Sequence, residues 1–259
     1  MRKILVLMVA VLVAAVTAGS ASATHSWGGY HWARTANPFT LKLGNNVGAT
    51  WDSLLVKASS DWSNSAAFLV PPVLRTDIVA GGTRPRQCRP TSGRDEICSA
   101  NYGNTGWLGV AQIWITGGVH ITQGTVKNND YYFGSSTYQY NNTMEMQHVI
   151  CQEIGHTFGL DHQSTTGESL NTCMDYYHNT SNTDTLSTSP NKHDYDELVT
   201  IYSHYDSTTT IGAAASGLPA AVPDFAPAGE HASVYTDHLP NGDLLVTFVT
   251  WATPFHLDF

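Results

Sequence analysis

The feature that most constrains this chain is residues 152–162, QEIGHTFGLDH, because helical spacing and one turn bring its polar side chains together. Side chains four residues apart share a helix face, with Cβ atoms about 5–6 Å apart, so Gln152 and His156 should point the same way. Gly159 can end the helix in a left-handed turn. His162 can then fold back towards the same point, and the segment predicts a cluster of polar side chains on a helix and its following turn.

The chemistry that needs such a cluster is zinc binding. Three protein ligands leave one position of a tetrahedral zinc ion open for water. Zinc lowers the pKa of that water towards ~7, and a neighbouring carboxylate can accept its proton. Glu153, beside the ligand pair, is the candidate general base. Gln152, His156 and His162 are the candidate ligands of one catalytic zinc ion.

The third ligand is the unusual one. The amide oxygen of Gln152 is neutral and harder than an imidazole nitrogen, so it should bind zinc less tightly. His148 is no substitute, because it lies eight residues before His156, a rise of about 12 Å along a helix. Two residues that far apart cannot both reach one ion through bonds of about 2 Å. Gln152, or water in its place, therefore remains the third ligand.

These residues resemble the metzincin signature H-E-x-x-H-x-x-G-x-x-H, with Gln152 at the first histidine. Met174 in TCMDY resembles the Met-turn that lies beneath the metal in that family. The resemblance implies that Tyr176, or its neighbour Tyr177, could hydrogen-bond a developing oxyanion. Asp175 could support a ligand histidine, although a role in capping its own loop is equally compatible with the sequence.

The resemblance to matrixin-like metzincins also implies a fold. An α+β domain is expected, with a twisted sheet, an active-site helix over residues 143–158 and a C-terminal helix over 191–204. Residues 108–115 and 120–128 predict two strands of that sheet. In that family the upper-edge strand pairs with an extended peptide substrate, and residues 108–115 are the candidate for this role.

The order of segments along the chain predicts four regions. Residues 1–23 are typical of a signal peptide, with Arg2 and Lys3, an apolar run over 4–16 and a small-residue cleavage site. That run is shorter than the roughly 20 residues that span a bilayer. The remaining regions are a metzincin-like catalytic domain over 24–206, a linker rich in Ala, Gly, Pro and Thr over 207–229, and a C-terminal β-hairpin extension over 230–259.

The four cysteines indicate two disulfides, as expected for an exported chain. Three pairings are possible. Proximity favours Cys88–Cys98, which leaves Cys151–Cys173 to join the start of the signature to the Met-turn segment.

The negative net charge of the chain limits the kinds of macromolecule that it is expected to bind. The formal net charge is −9, and removal of the two basic signal residues makes it −11. An acidic chain without a Lys/Arg cluster argues against nucleic acid as a partner. His120, His178 and His193 fit no ligand spacing, so a surface position is expected for them, and further structural ions are left open.

The function expected from these features is a secreted zinc-dependent endopeptidase that acts on an extended peptide or protein. No membrane contact is expected once the signal peptide is removed. The alternative is a catalytically inactive metzincin-fold binding or structural exoprotein. Oligomeric state is not indicated.

Overall fold

The computed structural model describes residues 25–213 and 233–252. The predicted signal peptide, most of the predicted linker and the last residues of the extension lie outside this part of the chain. The described strands are, in order, β1 His31–Trp32, β2 Phe39–Asn46, β3 Leu74–Ala80, β4 Asp95–Ala100, β5 Trp107–Thr116, β6 His120–Asn129, β7 Val234–His238 and β8 Leu244–Trp251. The described α-helices are α1 Ala49–Trp62, α2 Asp130–Phe133, α3 Thr143–Thr157 and α4 Lys192–Ile201, with a 3-10 turn at Ser65–Phe68.

The described strands form one mixed sheet with the order β3-β2-β4-β6-β5-β8-β7, and β1 pairs with β6 beside this path. The pairs β2/β3, β2/β4, β4/β6 and β1/β6 are parallel. The pairs β5/β6, β5/β8 and β7/β8 are antiparallel. The expected α+β class with a twisted sheet is confirmed at this coarse level.

The main core lies between the sheet and the helices α1, α3 and α4. An aromatic and aliphatic face of α1 is buried there, including Trp51, Leu55 and Trp62. Trp62 donates from Nε1 to the carbonyl of Cys151 at 3.0 Å, which joins α1 to α3 through the core. The core therefore fixes the helix that carries the candidate site.

The start of α3 is capped on one side only. The Asn142 side chain accepts a hydrogen bond from the Glu145 N–H at 2.9 Å, as in a capping box. The Glu145 carboxylate does not return to the cap but pairs with His178 and the N–H of Asn179. A reciprocal capping box occurs instead at α4, between Asn191 and Asp194.

No strand was predicted over the residues that form β3 and β4. β4 lies within residues 81–106 and is buried over most of its length. β3 lies before that segment and pairs with β2. Parallel strands buried on both faces have no polar alternation, so the periodicity that identifies a half-exposed strand is missing in β4.

The structure contains both disulfides, Cys88–Cys98 and Cys151–Cys173. The first fastens the loop before β4 to that strand. The second joins α3 to the segment that carries Met174. All four cysteines are buried. Such bonds are typical of proteins that mature in an oxidising compartment. Across residues 25–213 and 233–252, no helix has both the length and the apolar character needed to cross a bilayer.

A buried carboxyl beneath α3 makes stability depend on pH. Burial raises the pKa of Asp95 to about 8, and a hydrogen bond with the Thr157 hydroxyl offsets this only in part. The folded protein then holds a proton that the unfolded chain, with a pKa near 3.8, releases. The protonated Asp95 carboxyl therefore contributes fully to the stability of the folded protein below the unfolded pKa. This contribution is lost as the pH rises towards 8.

Between the unfolded pKa of 3.8 and the folded pKa of about 8, we expect titration of Asp95 to reduce the free energy of unfolding by about 1.4 kcal/mol for each unit that the pH rises. Asp95→Asn keeps the shape without the titration, so its unfolding free energy should vary less between pH 5 and pH 8. Urea unfolding at four pH values measures this. Asp77→Asn, at an exposed position on β3, is the control and should keep the wild-type slope. Equal slopes in the two variants would rule out Asp95 as the source.

Candidate active site

The polar residues of the signature are brought together inside the protein. α3 carries Gln152, Glu153 and His156, each with no exposed surface. The helix ends just before Gly159, which has φ of +96° and whose N–H donates to the His156 carbonyl at 3.0 Å. This left-handed turn returns the chain so that the His162 ring packs edge-on against His156, with centroids 4.7 Å apart.

The two histidines have free ring nitrogens in a buried position. Nδ1 of His156 lies 2.9 Å from the carbonyl of Leu160 and therefore carries the proton, which leaves Nε2 as an acceptor. That Nε2 has no hydrogen-bond partner, and neither does Nε2 of His162. Burial and the neighbouring His162 lower the pKa of His156 to about 3. Imidazole nitrogens are among the ligands that zinc prefers.

Gln152 is held at both ends of its amide. Its Nε2 donates to the carbonyl of Asp175 at 2.7 Å, which fixes the orientation of the group. Its Oε1 lies 2.5 Å from the hydroxyl of Thr250 on β8. A carbonyl oxygen has two lone pairs, so Oε1 retains one acceptor site while this contact is made.

Glu153 shares the same hydroxyl. Thr250 Oγ1 lies 2.7 Å from Glu153 Oε1. A hydroxyl has one proton, so Thr250 can donate a hydrogen bond either to Gln152 Oε1 or to Glu153 Oε1, but not to both. Burial raises the pKa of Glu153 to about 8. A protonated Glu153 can therefore donate to Thr250, while Thr250 donates to Gln152.

A glycine in β5 makes this approach possible. Gly109 is paired with Thr250 in the β5/β8 register. A Cβ at Gly109 would lie 2.5 Å from Glu153 Oε1 and 2.6 Å from a methyl of Val149. A larger residue at Gly109 would force the side chains of Glu153 and Val149 to move.

The C-terminal hairpin covers the site. β8 runs antiparallel along β5, and its turn at 239–243 contains the PNG sequence. Phe248 stacks on the His156 ring, with centroids 4.3 Å apart and planes 6° apart. Phe248 and Thr250 are two residues apart on a strand, so they share the face that meets α3. The face of β8 towards α3 therefore lies directly over the candidate ligands and base.

The segment around Met174 packs against these residues. Met174 is buried, and its sulfur packs against Gly155 of α3. The carbonyl of Met174 accepts from the N–H of Gln163, next to His162, at 2.6 Å. Together with the Cys151–Cys173 disulfide, these contacts hold the helix and the returning turn in one arrangement.

Tyr176 lies next to the candidate ligand His162, and its hydroxyl is hydrogen-bonded to β8. Its ring is 5.3 Å from that of His162, and its hydroxyl accepts a hydrogen bond from the Trp251 N–H at 3.0 Å. Burial raises the pKa of the Tyr176 phenol above its usual range. The hydroxyl is therefore a neutral group whose present partner belongs to β8.

Asp175 acts on the neighbouring loop. Its Oδ2 accepts from the N–H of Leu170, and its carbonyl positions Gln152. Burial raises the pKa of the Asp175 carboxyl to about 6. Of the two roles indicated by the sequence, these contacts fit loop capping.

The other histidines occupy defined places. His148 is buried one turn before Gln152, with Nδ1 at 2.6 Å from the carbonyl of Ser187. His178 pairs with Glu145, and His193 stacks on His25 with centroids 4.8 Å apart. His120 is partly exposed, and its Nε2 lies 3.1 Å from a carboxylate oxygen of Asp206.

Sequence reasoning missed Phe248 and Thr250. The hairpin was visible as two strand patterns around a turn, but nothing in those patterns indicates the strand on which it docks. A cavity of about 460 Å³ lies near the end of β8, lined by residues that include Tyr132, Tyr138 and Ala252. None of the candidate ligands lines it, which agrees with β8 filling the space over them.

No protein-family model matches the chain, and no curated protein matches its sequence at a significant level.

Proposed function

We propose that the protein is a secreted, metzincin-like zinc endopeptidase whose cleft is closed by its own C-terminal hairpin. The observation that carries this proposal is the pair of buried imidazoles, His156 and His162, whose Nε2 atoms have no partner beside the buried carboxyl of Glu153. An unpaired buried polar atom costs about 1–3 kcal/mol, so several in one place support a ligand that satisfies them.

The donor set fits zinc. His156 and His162 would hold the ion, and the hydrogen bond between His156 Nδ1 and the Leu160 carbonyl fixes the tautomer that ligation requires. Gln152 Oε1 would supply the third bond, with Asp175 holding the amide in orientation. Zinc bound there would lower the pKa of a water molecule and polarise a peptide carbonyl.

The protein's own residues would perform the remaining steps. Glu153 would accept the proton of the attacking water and pass it to the leaving amine. The hydroxyl of Tyr176, once free of the Trp251 N–H, would be available to donate to the carbonyl oxygen. β5 would hold an extended peptide by main-chain hydrogen bonds, with pockets for alternate side chains.

The position of β8 supports both the substrate class and the closed state. An extended antiparallel segment already pairs with β5, from Trp107 to Ile115, in the place proposed for a substrate. The same segment engages Gln152, Glu153 and Tyr176. A peptide substrate would therefore have to displace β8, and we propose that this competition holds the activity back.

The second candidate is a non-catalytic protein of the same fold. The observation that favours it is Gln152, whose amide is already satisfied at both ends by protein groups. In that case β8 is a permanent part of the sheet. The two candidates differ in zinc binding at His156 and in hydrolysis after the hairpin is weakened.

Metal analysis of the purified protein tests the metal site. We expect His156→Ala to contain one zinc ion per chain fewer than the wild type, because it removes one of two imidazole ligands. His193→Ala, outside the cluster, is the matched control and should keep the wild-type content. If His156→Ala is folded by circular dichroism and retains all of its zinc, the proposed site is wrong.

A further inference from the structure

A second cluster of metal-binding atoms lies away from the candidate active site. Three distant segments supply it: β1, the start of β6 and the chain after α4. The atoms are Nε2 of His31, Nε2 of His120, Nε2 of His204 and Oδ1 of Asp206. The ligand atoms of His31, His120 and Asp206 all lie within 4.8 Å of one another.

Four of the six separations among these atoms are close to those around one tetrahedral ion. Asp206 Oδ1 lies 3.6 Å from the His31 nitrogen, 3.1 Å from the His120 nitrogen and 3.7 Å from the His204 nitrogen. The His31 and His204 nitrogens are 3.1 Å apart. Zinc bonds of about 2.0–2.1 Å place tetrahedral ligands roughly 3.3–3.4 Å apart. We propose that these four side chains bind a second zinc ion.

Hydrogen bonding alone leaves two of these contacts unexplained. The distances of 3.6 and 3.7 Å from Asp206 to His31 and His204 exceed those of hydrogen bonds. The Nε2 atoms of His31 and His204 face each other at 3.1 Å, where His31 Nε2 is the acceptor because its ring proton lies on Nδ1. A cation shared by all four groups satisfies every one of these lone pairs.

The surrounding contacts orient the ligands in the way that zinc sites require. Nδ1 of His31 lies 2.8 Å from the carbonyl of Gly29, so it carries the ring proton and leaves Nε2 for the metal. Arg34 donates from its backbone N–H and from Nη1 to Asp206 Oδ2, at 3.1 and 3.0 Å. Oδ1 of Asp206 is thereby left facing the three imidazoles.

The chemistry of the set points to a structural ion. Three imidazoles and one carboxylate fill the four positions of tetrahedral zinc, so no position is left for a substrate. The side chains of His120 and His204 are 32% and 51% exposed, which lets the ion exchange with solvent. Those of His31 and Asp206 are nearly buried, at 5% and 10%.

The ion would join β1 and β6 to the segment after α4. Asp206 lies after α4 and before the hairpin strands β7 and β8 in the chain. The backbone N–H groups of Asp206 and Thr210 already bond to the carbonyls of Arg34 and Ala33. A zinc ion at Asp206 would therefore anchor the point from which the chain leaves for the hairpin.

Zinc stoichiometry of the full secreted chain tests this site. The protein is stripped with a chelator, dialysed against Zn²⁺ and measured by plasma mass spectrometry. We expect His204→Ala and His120→Ala each to bind one ion per chain fewer than the wild type. His238→Ala, an exposed histidine on β7, is the matched control and should bind as many ions as the wild type.

Visible absorption of bound Co²⁺ and the zinc content of each variant distinguish the second site from the candidate active site. In the His156→Ala protein, Co²⁺ loaded in place of zinc should give the intense visible absorption of a tetrahedral site. The double variant His156→Ala/His204→Ala should lack that absorption. Loss of zinc in His204→Ala but not in His156→Ala would support the second site alone. Full zinc content in both folded His204→Ala and His120→Ala would overturn it, whatever His156→Ala shows.

Discussion

Replacing Phe248 by alanine is expected to raise peptide hydrolysis by the full-length protein roughly 100-fold or more. Phe248 is fully buried and stacks on His156. Truncation of a buried Phe to Ala costs about 3–5 kcal/mol, and each 1.4 kcal/mol is a factor of ten. Because the lost contacts join β8 to the body of the protein, the cost falls on docking of the hairpin. The open population then rises by roughly 100- to 5,000-fold.

The measurement is cleavage of a quenched peptide library, together with amide exchange of residues 244–251. Thr236→Ala, on the exposed strand β7, is the control and should leave both unchanged. A synthetic peptide with the sequence LLVTFVTW should inhibit the Phe248→Ala protein by reoccupying β5. If exchange in β8 becomes fast and no peptide is cleaved even with added Zn²⁺, the hairpin is not what holds activity back.

Replacing Glu153 by glutamine in the Phe248→Ala protein is expected to reduce kcat by about 10²–10⁴-fold, the usual contribution of a general base. Glutamine keeps the size of the side chain and its contact with Thr250, so zinc content should not change. The loss should appear in kcat rather than KM, because Glu153 would act on the proton of the attacking water and not on substrate binding.

Glu168→Gln, at an exposed position in the following loop, is the matched control and should retain full activity. The expected pattern is therefore unchanged zinc, unchanged KM and a collapsed kcat in Glu153→Gln alone. Hydrolysis at the parental rate in Glu153→Gln would exclude it as the base and leave the non-catalytic candidate, or another base, to be considered.

Local features of the sequence were sufficient for the helix that carries the site. The helix expected over residues 143–158 is α3, which spans Thr143–Thr157. Strands were placed almost as well where they alternate or end in glycines, as β5 and β6 do. These elements depend on contacts within a few residues, so the local chain contains the signal for them.

The same sequence gave no indication of where β8 docks. Pairing of β8 with β5 joins residues more than 125 apart, and each edge of a sheet offers a similar row of backbone groups. Docking is decided by complementarity between Phe248 and His156 and between Thr250 and Glu153. Such complementarity exists only once α3 and β5 have been placed side by side.

His120 illustrates the same limit for metal ligands. No spacing links it to His31, 89 residues earlier, or to Asp206, 86 residues later. Parallel pairing of β1 with β6 sets His31 directly beside His120. Arg34 then holds Asp206 against both, so the cluster is a product of the sheet and of the segment that crosses it.

The helix, its glycine turn and the placement of Gln152, Glu153, His156 and His162 along them follow from local sequence, because a 3.6-residue repeat fixes which side chains share a face. The tertiary structure alone decided that a strand from the end of the chain lies over those residues, with one hydroxyl contacting both Gln152 and Glu153. The physical reason is range, since helix spacing is set by neighbouring residues, whereas strand docking depends on surfaces that the folded core creates.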